Sequence, residues 1–308
     1  MHESGFKPPS IAEAMDDLRA QLFVGDDQVY VMVDPLLGVH WQRPWSAPQS
    51  SAVGVEEILP LDRFGIVKAS SPFIVPLENS RSLLLDDSFH IALRENANPQ
   101  GPRSVCGWFS TPLDACQARV RLHTQVQRRN GRQEWLMRFY DPRTLRHLPA
   151  ILGPSFAISG VRRWFWIGED ARVTHVEGAP NCAEPFPVRD EHLPVLDRVG
   201  VVNQAHAQWQ QLIVPLPNDA FTNLFDAAAQ AIRHGLSLEQ PADCIAFMLH
   251  RCLIHPQIER HPVVAGWLTD AREGRRSYAD AAVSSGKDVW DEIKSGCWMG
   301  APQGVRYG

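Results

Sequence analysis

The amino-acid sequence predicts an α+β protein in two parts, a mixed α/β lobe over residues 1–180 and an all-helical lobe over residues 181–308. Through the first part, short apolar runs bounded by turn residues alternate with helical repeats. A proline-dense stretch between Gly178 and Pro194 then erases every hydrophobic period, which places the lobe boundary there. Beyond it only helical spacing remains.

In chain order, Ser10 and Glu13 form a capping box, and Ile11, Ala14, Met15, Leu18 and Leu22 follow at helical spacing. Gly25-Asp26-Asp27 breaks that helix. Val29 to Val33 is apolar enough for a buried strand, ended by Asp34-Pro35. Trp41 and Trp45 stand among prolines and polar residues and read as loop. Phe73 to Leu77 predicts a second strand, with Pro76 marking an edge or an end. A short helix is expected over Ser88–Arg94 and a third strand over Val105–Ser110. Thr111 before Pro112 reads as the cap of a helix running to about Leu122. Leu122 to Arg128 then alternates, Asn130-Gly131 offers a hairpin turn, and Glu134 to Tyr140 reads as the returning strand. Asp141 caps and Pro142 opens a helix to about Leu152, stopped by Gly153-Pro154. A second hairpin joins Val161–Ile167 to Arg172–Val176. After the linker, helices are expected over Ala220–His234 with Gly235 as terminator, from Pro241 to Cys252, from Pro262 to Ala271, and from Ser277 to Lys294 with Gly286 weakening the last.

Composition narrows the function. The net charge of -5 argues against a general nucleic-acid binder, and no apolar run approaches a membrane-spanning length. Met1 to Pro9 carries Glu3 and Lys7 without an apolar core, so no signal peptide is predicted there and a cytoplasmic location is expected. The cysteines (Cys106, Cys116, Cys182, Cys244, Cys252, Cys297) are scattered without a Cys-x-x-Cys pair and read as reduced thiols. Among 30 basic residues only Lys7, Lys68, Lys287 and Lys294 are lysines, and there are ten tryptophans. Arginine and tryptophan dominate protein-interface hot spots. Genome composition and core packing explain the same bias.

The run Trp135-Leu136-Met137-Arg138-Phe139-Tyr140-Asp141-Pro142-Arg143-Thr144-Leu145 resembles the central motif of the type VI secretion effector chaperones, or adaptors, of the Tap/TEC family. There a strand ending in Arg-Phe-Tyr leads into Asp-Pro-Arg at a helix start. Val29–Asp34, Ser71–Leu77, Gly107–Ser110 and Phe156–Trp166 resemble other family segments in the same order, so the likeness covers roughly residues 28–176. The resemblance implies a non-enzymatic, cofactor-free protein. Its partners would be a toxic effector, held in the producing cell, and the VgrG spike protein onto which that effector is loaded.

Physical chemistry reads the same corner as a cap and an ion pair: Asp141 faces the helix N-terminus, and Arg138 and Arg143 lie within reach of it. Fold maintenance and cargo contact both remain open for these three residues. The stretch 119–146 concentrates arginine (Arg119, Arg121, Arg128, Arg129, Arg132, Arg138, Arg143, Arg146) against Glu134 and Asp141. It reads as a solvated face, a surface for an acidic protein, or, least in keeping with the net charge, a nucleic-acid face. Trp164 and Trp166 share one side of their strand, which is either core or a groove for an apolar effector segment. Arg128, Arg129, Arg138, Asp141, Arg143, Trp164 and Trp166 are therefore the candidate partner-binding residues, and the cargo is expected in a cleft between the lobes.

Reactive chemistry finds little support. His250, Cys252, His255 and His261 lack zinc-site spacing. Gly-x-Ser-x-Gly, dinucleotide-binding and Walker loops do not occur in the sequence. Adjacent carboxylates such as Asp16-Asp17 and Asp86-Asp87 diverge on any regular element. A hydrolase with a site between the lobes is the alternative from another class, and an RNA-binding module a third.

Overall fold

The computed structural model describes residues 10–37, 56–57, 71–130, 133–212 and 214–299; the side chains of residues 56–57, 129–130 and 133–134 are outside that description. The chain divides into two compact units, Met1–Arg189 and Asp190–Gly308. The first is mixed α/β and the second helical.

The first unit contains α1 (Ile11–Leu22), β1 (Gln28–Val33), β2 (Glu56–Glu57), β3 (Phe73–Pro76), α2 (Leu83–Asn96), β4 (Val105–Thr111), α3 (Ala115–Val126), β5 (Gln127–Asn130), β6 (Gln133–Leu136), α4 (Pro142–Leu145), α5 (Leu148–Leu152), β7 (Ile158–Ser159), β8 (Arg163–Ile167) and β9 (Val173–Ala179). The capping box of α1 forms as expected: the Ser10 hydroxyl accepts from the Glu13 amide at 3.2 Å, and Glu13 accepts from the Ser10 amide at 2.6 Å.

Seven strands order as β2-β3-β1-β4-β8-β9-β7. Every pair is antiparallel except β7 with β9. Because β1 and β4 are central, both their faces are covered and they read as continuous apolar runs. Val29, Val31, Val33, Trp108 and Phe165 pack with residues of α1 and α2 on one face. On the other, Tyr30 stacks on Phe109 at 5.4 Å and Phe109 on Trp164 at 5.0 Å between centroids.

Several elements depart from the sequence expectation. The apparent alternation from Leu122 belongs to α3, which buries Ala118, Leu122, Gln125 and Val126 at helical spacing. Gln125 holds the helix there, its amide exchanging hydrogen bonds with the Ser159 backbone at 2.8 and 3.2 Å. Asp114, not Thr111, caps α3, accepting from the Gln117 amide at 2.8 Å. Thr111 ends β4 instead and accepts from the Leu113 amide at 3.1 Å. The returning strand stops at Leu136, short of Tyr140. The helix expected to reach Leu152 breaks between Leu145 and Leu148. Pro149 explains the break, since it has no N–H to bond the carbonyl four residues back. Of the hairpin turn, Gly131 lies outside the described residues, as do Trp41 and Trp45.

The second unit contains α6 (Leu193–Leu196), α7 (Val199–Gln210), α8 (Ala220–Arg233), α9 (Pro241–Leu253), α10 (Pro262–Arg272), α11 (Tyr278–Val283) and α12 (Lys287–Ser295). α6 and α7 are additions to the sequence reading. The signal for α7 was present in Val201, Val202, Ala205 and Trp209, all buried against α8 and α9. Helix α9 divides its apolar face between two clusters, Ile245 and Met248 toward α7 and α8, Cys244 and Phe247 toward α10 and α11. The helix expected over 277–294 is two helices, interrupted before Gly286, which sits at the N-cap of α12. Gly235 ends α8 with φ +88°, as expected of a glycine terminator.

Candidate functional site

After β6 the Met137 amide donates to the Val126 carbonyl at 2.7 Å, and the chain then turns tightly, Phe139 N–H to Met137 O at 2.8 Å and Asp141 N–H to Arg138 O at 3.1 Å. The turn sends Phe139 and Tyr140 into the core and leaves Arg138 half-exposed. Phe139 meets Trp164 and Phe186 edge-on, at 5.8 and 5.7 Å.

Tyr140 reaches across to the end of β1, where its hydroxyl donates to Asp34 Oδ2 at 3.1 Å. Asp34 is fully buried. Its Oδ1 accepts from the Leu36 amide at 2.9 Å, and Arg138 Nε stands 3.9 Å from Oδ2. Burial raises the Asp34 carboxyl above its ordinary range, with Arg138 and these hydrogen bonds pulling the other way. The Tyr140 hydroxyl is pushed well up by burial and by the neighbouring Asp34.

Asp141 is buried at the N-cap of α4. Its Oδ1 accepts from the Arg143 amide at 2.9 Å and from Arg143 Nε at 3.0 Å, while Oδ2 accepts from Nη2 at 2.8 Å. Cap and bidentate ion pair are thus one unit, and the two halves reinforce each other. Beside it, Arg103 Nη1 donates to the carbonyls of Asn98 and Pro102 at 3.1 and 2.9 Å, tying down the C-terminal end of α2. Burial drops the Arg103 guanidinium to about 10. Glu95 accepts from the Ser104 hydroxyl and from the Val105 amide, closing α2 onto β4. Burial also pushes the Cys106 thiol well up, which makes it unreactive.

These groups point at one another. Chemically the arrangement is a clamp that fixes β1, the loop before β4, and the start of α4 with charge-assisted bonds. Among the described residues, no group of three or more His, Cys, Asp or Glu side chains is placed to hold a metal ion, and no helix is long and apolar enough to cross a membrane.

Residues 29–155 match the domain of unknown function DUF4123. No curated protein and no solved structure matches the chain. The DUF4123 match begins in β1 and ends just after α5, so it contains Asp34, Arg103, Tyr140, Asp141 and Arg143. Trp164 and Trp166 lie beyond it.

The structure sorts the sequence-derived candidates. Arg138, Asp141 and Arg143 come together at the DUF4123 corner, with Asp141 and Arg143 engaged in the clamp. Trp164 and Trp166 are both buried. Their face is core of their own unit, and the expected groove there is corrected accordingly. Arg128 lies on β5 with its guanidinium over the ring of Phe186, 4.4 Å from the centroid. Arg129 is placed on β5, and its side chain is outside the described residues. Glu95, Arg103 and Phe186 were not foreseen as members of the site. In the sequence Asp34 reads only as the end of its strand.

Proposed function

We propose that this protein is a non-catalytic adaptor, or chaperone. It binds a toxic effector in the cytoplasm of the producing cell and helps load it onto the VgrG spike of a type VI secretion system, without a cofactor. The observation that carries the reading is a coincidence of positions. The DUF4123 match falls on the stretch whose Arg-Phe-Tyr-Asp-Pro-Arg corner resembles the adaptor motif, and it points to a role connected with type VI secretion. The chemistry of the corner supports the reading as well. Asp34, Tyr140, Asp141 and Arg143 serve one another, as parts of a scaffold do, and the Cys106 thiol is buried in its protonated form. A net charge of -5 favours a protein partner over a polyanion.

Co-expression of the full chain with the toxin encoded by the neighbouring gene, and separately with VgrG, tests the proposal by affinity capture and light scattering. A defined complex with the toxin, and its transfer to or co-capture with VgrG, is the expected result. A chain that captures neither protein overturns it.

A further inference from the structure

Arg128 is placed unlike the other arginines of the corner. Arg138 stands near Asp34, Arg143 is paired with Asp141, and Arg146 with Glu169. Arg128 has no carboxylate among the described residues. Its guanidinium lies over the ring of Phe186, 4.4 Å from the centroid, and Trp135 stands directly across the ribbon from it. Phe186 is itself buried, edge-on to Phe139 at 5.7 Å and to Phe156 at 5.1 Å.

The Nε and Nη2 atoms of Arg128 are both shielded from water, and neither has a hydrogen-bond partner among the described residues. These two nitrogens form the edge with which a guanidinium grips a carboxylate in a fork, as Arg143 does with Asp141 in this same protein. Leaving such donors buried and unbonded is costly, because each has given up its bonds to water without a replacement. The cation–π contact offsets only part of that. Burial without a counter-charge lowers the guanidinium to about 10. Among the described residues the ribbon that carries Arg128, β5 with β6, bonds to no strand of the seven-stranded sheet, so it can tilt without breaking that sheet.

The geometry points to Arg128 on its Phe186 platform as the receptor for an Asp or Glu side chain of the bound effector, gripped bidentately through Nε and Nη2 when the β5–β6 ribbon tilts. This rests on the adaptor reading for the identity of the partner, and the carboxylate chemistry stands on the arginine itself. A phosphate backbone would offer similar charge, but the negative net charge of the chain disfavours it.

Three measurements on the full chain decide the matter. In the first, capture of the neighbouring-gene toxin by wild type is compared with R128K and R128Q; both variants are expected to bind at least tenfold more weakly, since lysine keeps the charge and loses the fork. The second is the melting temperature of R128M, expected to equal or exceed wild type because an unbonded donor pair is removed. In the third, the Arg128 Nε–H resonance is followed during titration with hexaglutamate, and a downfield shift absent with hexaglutamine is expected. Wild type that captures the toxin alongside R128Q of equal affinity overturns the carboxylate receptor and leaves the adaptor reading standing. Wild type that captures no toxin, while the resonance still moves with hexaglutamate, sinks the adaptor reading alone. A resonance unmoved by hexaglutamate, a lower melting temperature for R128M, or Arg128-dependent binding of an oligothymidylate probe in place of the peptide overturns the receptor.

Discussion

Tyr140 and Asp34 are 106 positions apart and meet through a single buried hydrogen bond of 3.1 Å. Asp34 is kept in an apolar site by that bond, the Leu36 amide and the more distant Arg138. Removing the Tyr140 hydroxyl strips one donor from a fully buried carboxylate. Tyr140→Phe is expected to lower unfolding stability by about 1–3 kcal/mol, read from urea denaturation, with the same slope as wild type. An unchanged midpoint would show that the bond holds nothing. Tyr140 was legible from sequence as part of a motif, but its partner was not, because no local pattern links it to the end of β1. The same holds for Arg128, whose side chain was named as a candidate for its charge alone. Its platform, Phe186, lies in a proline-rich stretch without any period.

At the scale of elements, caps and terminators were the most readable features. The Ser10 box, the Asp141–Pro142 helix start and the Gly235 end of α8 all act within a few residues of themselves. Strand and helix extents were less readable where packing decided between two periods, as at Leu122–Val126. Gly107 shows a demand made by the sheet on one residue. Its φ is +137°, and a Cβ placed there would lie 2.6 Å from Trp164 Nε1 and deeper still against the Phe165 carbonyl of β8. Only glycine lets β4 and β8 approach at this point. Gly107→Ala is expected to destabilise the first unit by about 3 kcal/mol or more, with loss of the near-ultraviolet signal of Trp108 and Trp164 as the readout. Wild-type stability in that variant would mean the strand relaxes without consequence.

At the scale of the molecule, each unit closes its own core, and the second should respond to acid. His250 is pushed down to about 4 from 6.5 by burial, its Nδ1 3.0 Å from the Tyr278 hydroxyl and its ring 4.7 Å from Trp290. Asp243 accepts from the Tyr278 and Ala279 amides at 3.0 Å. Because the folded value lies below the unfolded one, the fold favours the neutral ring. Stability is whole above pH 6.5 and falls as pH drops toward 4, by on the order of 3 kcal/mol. His250→Gln is expected to flatten that acid limb in thermal melts at a series of pH values, whatever its effect at neutral pH. Parallel curves for variant and wild type would assign the limb elsewhere.

By itself the sequence determined the class of each part and the caps at Ser10 and Asp141, the Gly235 terminator and the buried strands β1 and β4, since those depend on bonds and periods spanning a few residues. Only the tertiary structure decided that Asp34 answers Tyr140, that Trp164 and Trp166 are core, and that Arg128 rests on Phe186 with its fork unfilled among the described residues. Those outcomes arise between groups far apart in the chain. Their energies exist only once the sheet has closed and water has been expelled from between them.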